Sequence, residues 1–323
     1  MNNNMKVLQK DLNTNDSYVL LNMDFIRVGD YLIFDIYTQS MGQYIIIVEE
    51  STILTSILMN KLLQEEHLYI SQKDEYKQEL TGYSLKYHIR YYQDDYSKIL
   101  NFLYTINNKI FSIFCSSDDK YIHMENVTLL IKAIIYLIQD NNKYLKNLMP
   151  YFKTIDDLAT HSIHVAIYAI NLGHSLEFSN KKLLKLGIAG LLHDIGTIKI
   201  DTAILNKDSS LTQEEIELIQ HHPKYSVELL TQNDISDPDI LDTVLHHHEN
   251  NDGTGYPDRL QGKSIRKCSA ILSIVNVFNA LTSDRAHRKA FRSFEALKIM
   301  MQDKKMRNKF NTDYIEHFLR TLQ

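Results

Sequence analysis

The stretch VLHHHENNDGTGYPDRL, residues 244–260, places three consecutive histidines and several acidic residues beside a Gly-Thr-Gly-Tyr-Pro turn. Histidine and carboxylate side chains at this density are typical of metal sites. The glycines and the proline that follow predict a defined loop beside the candidate ligands. The stretch raises the question of which other residues complete such a site.

Length and composition limit the number of domains, the class of partner and the cellular compartment that we expect. A chain of 323 residues with 44% apolar residues favours two domains over one core. The net charge of −5 gives no general case for duplex nucleic acid as a partner. Two distant cysteines, Cys115 and Cys268, predict a reducing compartment without disulfides. The longest apolar run, residues 127–138, contains Lys132 and is too short for a bilayer, and the N-terminus lacks a signal peptide. We therefore expect a cytoplasmic protein with no membrane and no nucleic-acid duplex as partner.

The chain changes character near residue 150. All four prolines and seven of the ten glycines lie at or beyond it. Before it, DYLIFDIYT (30–38) and GQYIIIVEE (42–50) predict short strands, and residues 56–64 and 97–147 carry helical apolar spacing. We therefore predict an α+β protein. A small α/β sensory or adaptor domain covers 1–95, a helical connecting region covers 96–149, and an all-α helical bundle covers 150–323.

Ligand-type side chains occur at five separate places in the C-terminal half. Any one of them alone is more simply a solvated or core residue, but five in one domain favour a site. The places are Asp157 with His161, His193 with Asp194, His221 with His222, His246 with His247 and His248, and the polar positions of ILSIVNVFNALTSDR, residues 271–285.

Helical geometry shows which of these side chains point inward. A step of 100° per residue places His222 on the face of Ser226 and Leu229, with Pro223 expected to kink or restart the helix. Asp157 and His161 are four residues apart on a predicted helix, so both can reach one point. The pair His193-Asp194 follows the apolar stretch LLKLGIAGLL, where a buried helix should end.

A buried carboxylate such as Asp194 needs a cation or hydrogen bonds to offset its desolvation. Mixed imidazole and carboxylate ligands suit Fe, Mn or Zn better than Ca or Mg. A set this large can hold two or more metal ions with Asp194 as a bridge. Such a binuclear site can clamp a phosphate for in-line attack.

The motifs HDIG (193–196), HHP (221–223), HHENNDGTGYP (247–257) and IVNVFNALTSDRAHR (274–288) resemble the HD-GYP domain. This is the branch of the HD phosphohydrolases that cleaves cyclic di-GMP. The resemblance covers about residues 150–323, with every motif in order. The N-terminal half resembles the variable sensory or adaptor segments that precede such domains.

The resemblance implies a site of two or three divalent metal ions, Fe or Mn, with Asp194 as the bridging ligand. It also implies that Arg285 and Arg288 contact the substrate phosphate and act with Asp194 in catalysis. The implied metal ligands are His161, His193, Asp194, His222, His247 and His248, with Asp157 where some members hold an extra metal.

The resemblance further implies that Gly255, Tyr256 and Pro257 shape a loop beside the substrate or beside a diguanylate-cyclase partner. His246 is left over, and we interpret it as supporting the site or exposed. A homodimer is a further expectation, because long helices such as residues 127–146 are common dimer elements.

Three positions depart from the family pattern. Thr197 stands where the family has a lysine, Asn276 stands at a ligating aspartate and Asn279 at a second aspartate. Asparagine can coordinate through its carbonyl oxygen but brings no charge, so Asn276 should hold a metal ion more weakly. Both asparagines lie three apart in an apolar run, and we expect them to face the site.

Three functions remain open at this point. The first is a metal-dependent cyclic di-GMP phosphodiesterase, with activity impaired by the three departures. The second is a degenerate relative that binds metal, nucleotide or a signalling protein without turnover. The third is another HD phosphohydrolase such as a nucleotidase, against which the Gly-Tyr-Pro segment argues.

Overall fold

The computed structural model describes residues 17–23, 26–28, 30, 32, 34–50, 52–77, 95–116, 122, 124–140, 144–155, 157–205, 207, 209–284 and 288–322. The chain forms two compact units, residues 1–95 and 96–323. Helices dominate the second unit and the sheet lies in the first. The predicted α+β class is therefore confirmed. Within these ranges, none of the helices is both long and apolar enough to cross a membrane.

The first unit is a small sheet with one helix. Its strands are β1 (Tyr18–Leu20), β2 (Ile36–Ser40), β3 (Gln43–Val48) and β4 (Tyr69–Ser71), all antiparallel in the order β1-β4-β2-β3, and its helix is α1 (Ser56–Leu62). The turn at Met41 and Gly42 has positive φ at both residues, which suits the tight hairpin between β2 and β3. Fully buried Phe34, Leu54 and Ile70 form part of the core of this unit.

The second unit is helical. Its helices are α2 (Tyr96–Ser116), α3 (Met124–Asp140), α4 (Tyr144–Leu148), α5 (Leu158–Ser175), α6 (Asn180–Leu192), α7 (Thr202–Leu205), α8 (Gln213–Gln220), α9 (His222–Gln232), α10 (Pro238–Leu245), α11 (Lys267–Thr282), α12 (Ser293–Gln302) and α13 (Thr312–Thr321). Short 3-10 turns cover Met149–Tyr151, Ile195–Lys199, Gly262–Ser264 and Arg307–Lys309.

Helix α5 lies at the centre of this unit. Residues 160–173 are buried without a break, because α2, α3, α6, α11 and α13 all pack against it. In a helix that is buried all round, most polar side chains find partners inside the protein. Two histidines of α5, His161 and His164, are in this position.

Local sequence signals explain where the helices around the centre begin and end. Thr212 and Glu215 form a capping box at the start of α8. Helix α8 ends before His221, and α9 starts at His222 with Pro223 in its first turn. Proline is tolerated there because a first-turn N–H has no helical partner. The restart carries His222 inward, where Ser226 and Leu229 are also buried.

Candidate metal centre

The turn after helix α6 brings two candidate ligands into the interior. Helix α6 ends at Leu192, His193 follows as its C-cap, and Asp194 begins the 3-10 turn. A Cβ atom on Gly196 would lie 2.2 Å from the carbonyl oxygen of His222, so only glycine permits this close approach of the turn to α9. The hydroxyl of Ser226 donates to the carbonyl of His193 and accepts from the N–H of Gly196.

Three histidines are oriented in the same way by the main chain. Nδ1 of His193 lies 2.9 Å from the carbonyl oxygen of Gly190, Nδ1 of His222 lies 2.7 Å from that of Ile219, and Nδ1 of His247 lies 2.6 Å from that of Val244. A carbonyl oxygen only accepts, so each ring carries a proton on Nδ1. In the neutral ring Nε2 is then a bare lone pair, which is the form that binds metal.

The two carboxylate oxygens of Asp194 face different histidines. Oδ2 lies 3.2 Å from Nε2 of His193 and 3.5 Å from Nε2 of His161. Oδ1 lies 3.1 Å from Nε2 of His222 and 3.3 Å from Nε2 of His247. Oδ1 is buried and has no hydrogen-bond partner of good geometry among the described residues.

Two groups of side chains are therefore close enough to hold a metal ion each. Within each group, one ligand atom per residue lies within 4.8 Å of the others. The first group, which we call the His222 group, contains Asp194, His222, His247 and His248, and the second, the His161 group, contains His161, His193 and Asp194. Asp194 belongs to both. A divalent cation fits this arrangement, because a carboxylate oxygen and two or three imidazole nitrogens converge on each position.

Burial and charge shift the pKa values of this cluster. Burial opposes ionisation of Asp194, but His193 and His222 beside it hold its pKa well below the usual range. Burial also opposes charge on His222, yet Asp194 outweighs it and raises the pKa of His222. Burial lowers the pKa of His247 to about 4 and that of His248 well below its ordinary value. His247 and His248 are thus neutral donors at physiological pH.

The predicted site residues Asp157, Asn276 and Asn279 lie in different surroundings. Asp157 is the N-cap of α5, where its carboxylate accepts the N–H of Thr160 at 2.9 Å, and it belongs to neither metal group. Its role as a ligand stays a prediction. Asn276 and Asn279 are both buried on α11. Nδ2 of Asn279 lies 2.8 Å from Nδ1 of His161, so this asparagine contacts a candidate ligand directly.

Of the two predicted phosphate-binding arginines, the structure describes only Arg288. Arg285 lies outside the described residues. The guanidinium of Arg288 donates to the main-chain carbonyls of Ala280, Leu281 and Lys289, and it lies 4.6 Å from the ring centre of Phe291. These contacts hold the end of α11. Its role toward substrate stays a prediction.

The Gly-Tyr-Pro loop packs directly on the His222 group. The ring of Tyr256 stacks on His248, with ring centres 4.7 Å apart. A Cβ atom on Gly255 would lie 2.5 Å from the carbonyl oxygen of His248, so a side chain there would push the loop away. Buried Glu249 anchors the loop, because its carboxylate accepts the main-chain N–H groups of Asp258 and Leu260.

Sequence reasoning gave no role to Glu249 or Ser226. The signal for Glu249 was its place in the HHE motif, where a third ligand-type residue follows two inward histidines. His246 lies in neither metal group. It is buried, with Nε2 3.1 Å from a carboxylate oxygen of Asp258, and so it ties the end of α10 to the loop.

Thr197 and Lys199 flank the HD turn. The hydroxyl of Thr197 donates to the main-chain oxygen of Asp194. The ammonium of Lys199 is 2.8 Å from Glu228 and so is already paired with a carboxylate. Lys199 could replace the absent lysine only if this ion pair opened and the turn rearranged.

A cavity of about 610 Å³ opens beside the Gly-Tyr-Pro loop. Its cationic residues are Lys224 on α9 and Arg259 after the loop, and Tyr256 joins it to the His222 group. Binding pockets for small molecules commonly have volumes of about 300 to 1,000 Å³. The three predicted loop residues, Gly255, Tyr256 and Pro257, all line this cavity.

Comparison with known proteins identifies one family. The family model described as HD domain matches residues 136–310, which is more than half of the chain. This range contains both metal groups and the Gly-Tyr-Pro loop.

Curated relatives match about half of the chain. The chain is 36% identical over 151 residues to a cyclic di-GMP phosphodiesterase of Pseudomonas aeruginosa, which covers 46% of the chain and 36% of that protein. It is 32% identical over 169 residues to 3'3'-cGAMP-specific phosphodiesterase 3 of Vibrio cholerae, which covers 50% of the chain and 36% of that protein. The chain thus spans about a third of the length of these relatives.

One solved structure is similar over nearly the whole chain. It is Bd1817, an HDG"Y"P protein from Bdellovibrio bacteriovorus, with a TM-score of 0.61. The similarity covers 95% of this chain and 99% of the other, at 19% sequence identity. At this identity the likeness shows the fold alone.

Proposed function

Because the chain belongs to the HD domain family, we propose that it is a metal-dependent phosphodiesterase that hydrolyses cyclic di-GMP. The observation that carries the proposal is the carboxylate of Asp194, which two groups of histidines share. A carboxylate with histidines on both of its oxygens is suited to bridge two metal ions. We propose iron or manganese as the metals, since imidazole and carboxylate ligands together suit borderline divalent ions.

The chain supplies the ligands and the electrostatics for this chemistry. A bound metal pair supplies an activated water and charge neutralisation for a phosphodiester. Asp194 is the one carboxylate among the six residues of the two groups, and the other five are histidines, which bind metal in their neutral form. One negative charge facing two divalent cations leaves a strongly positive centre. Such a centre attracts an anionic phosphate, at the cost of weaker metal binding.

The cavity beside Tyr256 is the proposed place for the nucleotide. Its volume of about 610 Å³ lies in the range of small-molecule pockets, and its two cationic residues, Lys224 and Arg259, outnumber its one acidic residue, Glu217. A nucleotide base can stack on the aromatic ring of Tyr256, and a base bound there lies close to the His222 group. The names of the two relatives give cyclic di-GMP and 3'3'-cGAMP as the dinucleotides to test. Arg285 and Arg288 are retained as proposed phosphate contacts.

The remaining expectations belong to the same proposal. Residues 1–95 act as a sensory or adaptor unit, so the activity serves signal transduction in the cytoplasm. A diguanylate-cyclase-type protein is a proposed partner at the loop of Gly255, Tyr256 and Pro257. A homodimer is proposed because long helices such as α3 are common dimer elements.

A second candidate function has its own supporting observation. The neutral Asn276 and Asn279 both lie buried on α11, and Asn279 contacts a candidate ligand. A site with one carboxylate for two cations can bind metal and nucleotide without turning it over. In that case the protein acts as a binding module in signalling.

The two candidates are separated by an assay of the full chain. Protein purified without oxygen is reconstituted with Fe²⁺ or Mn²⁺, its metal content is measured, and loss of cyclic di-GMP and of 3'3'-cGAMP is followed. We expect hydrolysis of cyclic di-GMP that a chelator abolishes and that Asp194→Ala lacks. Metal-loaded protein that binds the dinucleotide without cleaving it supports the binding module instead.

A further inference from the structure

A chain of buried hydrogen bonds leads from helix α2 to the His161 group. The hydroxyl of Tyr104 on α2 contacts Nε2 of His164 on α5. Asn279 on α11 lies within hydrogen-bonding reach of His164, and its Nδ2 lies 2.8 Å from Nδ1 of His161. Every member of this chain is buried. A buried polar chain is stable only if each donor meets an acceptor, so its protons are not placed independently.

The donor and acceptor roles along this series of hydrogen bonds follow from Tyr104, at the end away from the metal groups. The hydroxyl of Tyr104 accepts the main-chain N–H of Lys153 and still has its own proton to donate. Burial lowers the pKa of His164 to about 3, so its ring is neutral and has one donor and one acceptor. If Nε2 accepts from Tyr104, then Nδ1 carries the proton and donates to Oδ1 of Asn279.

The same amide then fixes the proton of His161. With Oδ1 of Asn279 accepting from His164, its Nδ2 faces Nδ1 of His161 and can only donate. Nδ1 of His161 is therefore the acceptor. In the neutral ring the proton is on Nε2, the nitrogen that faces Asp194 and His193.

A second contact leads independently to the same proton position. Nε2 of His161 lies 3.2 Å from Nε2 of His193. The proton of His193 is on Nδ1, because that nitrogen contacts the carbonyl of Gly190. A hydrogen bond between the two Nε2 atoms therefore needs the proton of His161. The metal-binding lone pair of His161 is blocked by a proton.

The His222 group differs in this respect. Nε2 of His222 and Nε2 of His247 also lie 3.2 Å apart, but both rings direct Nδ1 to main-chain carbonyls. In their neutral forms two lone pairs face each other beside Oδ1 of Asp194. A cation satisfies this arrangement without any change of tautomer.

We propose that Asn279 holds His161 in the tautomer with its proton on Nε2, so that the His222 group binds one divalent metal ion tightly and the His161 group binds the second weakly. This inference rests on the metal pair of the proposed function. Asn279 is thus a positioning residue, since it acts on the metal through His161.

Binding of the second metal requires the hydrogen bonds between Tyr104 and His161 to reverse their direction. The amide of Asn279 must turn so that Oδ1 accepts from Nδ1 of His161, and His164 must move its proton from Nδ1 to Nε2. The proton on Nε2 of His164 then meets the oxygen of Tyr104, which already accepts from Lys153. The reversed chain is less well satisfied. Support of this kind behind a metal ligand typically changes metal affinity by about 10- to 100-fold.

Asn279→Asp supplies a second acceptor oxygen, so His161 and His164 no longer compete for the single oxygen of the amide. A carboxylate accepts from Nδ1 of both His161 and His164, so the bond from Tyr104 to His164 stays and the lone pair on Nε2 of His161 becomes free. We expect wild-type protein to bind one Mn²⁺ tightly and the second at least about 10-fold more weakly. Asn279→Asp should bind two Mn²⁺ tightly, as measured by calorimetric titration of the full chain and by elemental analysis.

The tautomer is read directly by long-range proton–nitrogen NMR on metal-free full-chain protein with labelled histidine. His161→Gln identifies the signal of His161. In wild type its proton should be on Nε2, and in Asn279→Asp on Nδ1. Asn276→Asp adds the same charge one turn away and should leave the His161 tautomer as in wild type, which separates charge from positioning.

Two results would overturn the inference. One is a metal-free wild type with the His161 proton on Nδ1. The other is a wild type that binds two Mn²⁺ with equal affinity. Both measurements use wild type, so they stand even if Asn279→Asp does not fold. If Asn279→Asp binds two Mn²⁺ and still leaves cyclic di-GMP intact, the proposed function fails while the inference holds.

Discussion

Asp194 contacts the ligand atoms of four histidines through its two oxygens. A carboxylate that bridges two cations contributes to both, whereas a peripheral one contributes to one at most. Asp157 accepts a main-chain N–H at the start of α5 and belongs to neither metal group. The two aspartates therefore form a matched pair for comparison.

We predict that Asp194→Ala removes bound metal almost completely, while Asp157→Ala retains most of it. Loss of the Asp157 cap should instead lower the stability of the fold by about 1 kcal/mol. Elemental analysis and thermal unfolding of both variants check this. Equal metal loss in the two variants would contradict the assignment of Asp194 as the bridge.

A second prediction concerns Asn276, buried on α11 one turn before Asn279. Asn276→Asp is nearly isosteric and adds the missing charge, so we expect higher metal occupancy. Combined with Thr197→Lys, it should raise cyclic di-GMP hydrolysis above the wild-type rate. Thr197→Gln in place of Thr197→Lys serves as the uncharged control. Brisk wild-type hydrolysis with no change of metal content or rate in Asn276→Asp would show that Asn276 is not at the metal.

For single residues, the sequence predicts which side chains are buried better than it predicts which side chains they hydrogen-bond to. His222 and Ser226 are buried as the helical pattern indicates, because burial follows from apolar periodicity. The partners of Asn279 could not be predicted, since His164 and Tyr104 are brought to it by tertiary packing. No local pattern marks Tyr104 as different from the other tyrosines of the chain.

At the scale of elements, the Gly-Tyr-Pro loop depends on one buried carboxylate. Glu249 accepts two main-chain N–H groups, from Asp258 and Leu260, at 2.7 and 3.0 Å. The loop in turn places Tyr256 on His248. Weakening this anchor should therefore alter the cavity wall and leave the ligand atoms of the metal groups in place.

We predict that Glu249→Gln raises the KM for cyclic di-GMP with metal content unchanged. The amide replaces one acceptor with a donor that faces a main-chain N–H, which costs about 1–3 kcal/mol of stability. Steady-state kinetics and elemental analysis test this, with the exposed Asp258→Asn as the milder control. A fall in metal content with unchanged KM would place Glu249 in the metal site instead.

Elements with strong periodicity were predicted well, and short ones were not. The strand expected over 42–50 contains β3 and the helix expected over 56–64 contains α1, whereas the strand expected over 30–38 overlaps β2 only at residues 36–38. The three-residue strands β1 and β4 were missed, because YVL and YIS are too short to show an alternating pattern. Such strands form through pairing with distant neighbours, and no local propensity reports that.

At the scale of the whole molecule, buried neutral histidines make the fold sensitive to acid. Burial lowers the pKa of His164 to about 3 and that of His247 to about 4, whereas an unfolded histidine titrates near 6.5. Below pH 6.5 the unfolded chain takes up protons that the folded chain cannot. These two histidines therefore cost no stability above about pH 6.5, and their cost grows as the pH falls toward 4.

We predict that acidification of metal-free protein from pH 7 to 5 costs about 2 kcal/mol through His164 alone. His164→Phe should show a shallower loss over this interval, whatever its stability at pH 7. Chemical unfolding of both proteins at a series of pH values measures the slopes. Identical slopes would mean that His164 is protonated in the folded protein.

The central claim, that one carboxylate joins two metal positions, is tested most directly by anomalous diffraction. Crystals of the full chain equilibrated with excess Mn²⁺ would be measured at the manganese absorption edge. We predict two anomalous peaks, one beside each oxygen of Asp194, with the stronger peak among His222, His247 and His248. A single peak that Asp194 does not contact, or no peak within reach of these histidines, would contradict the account.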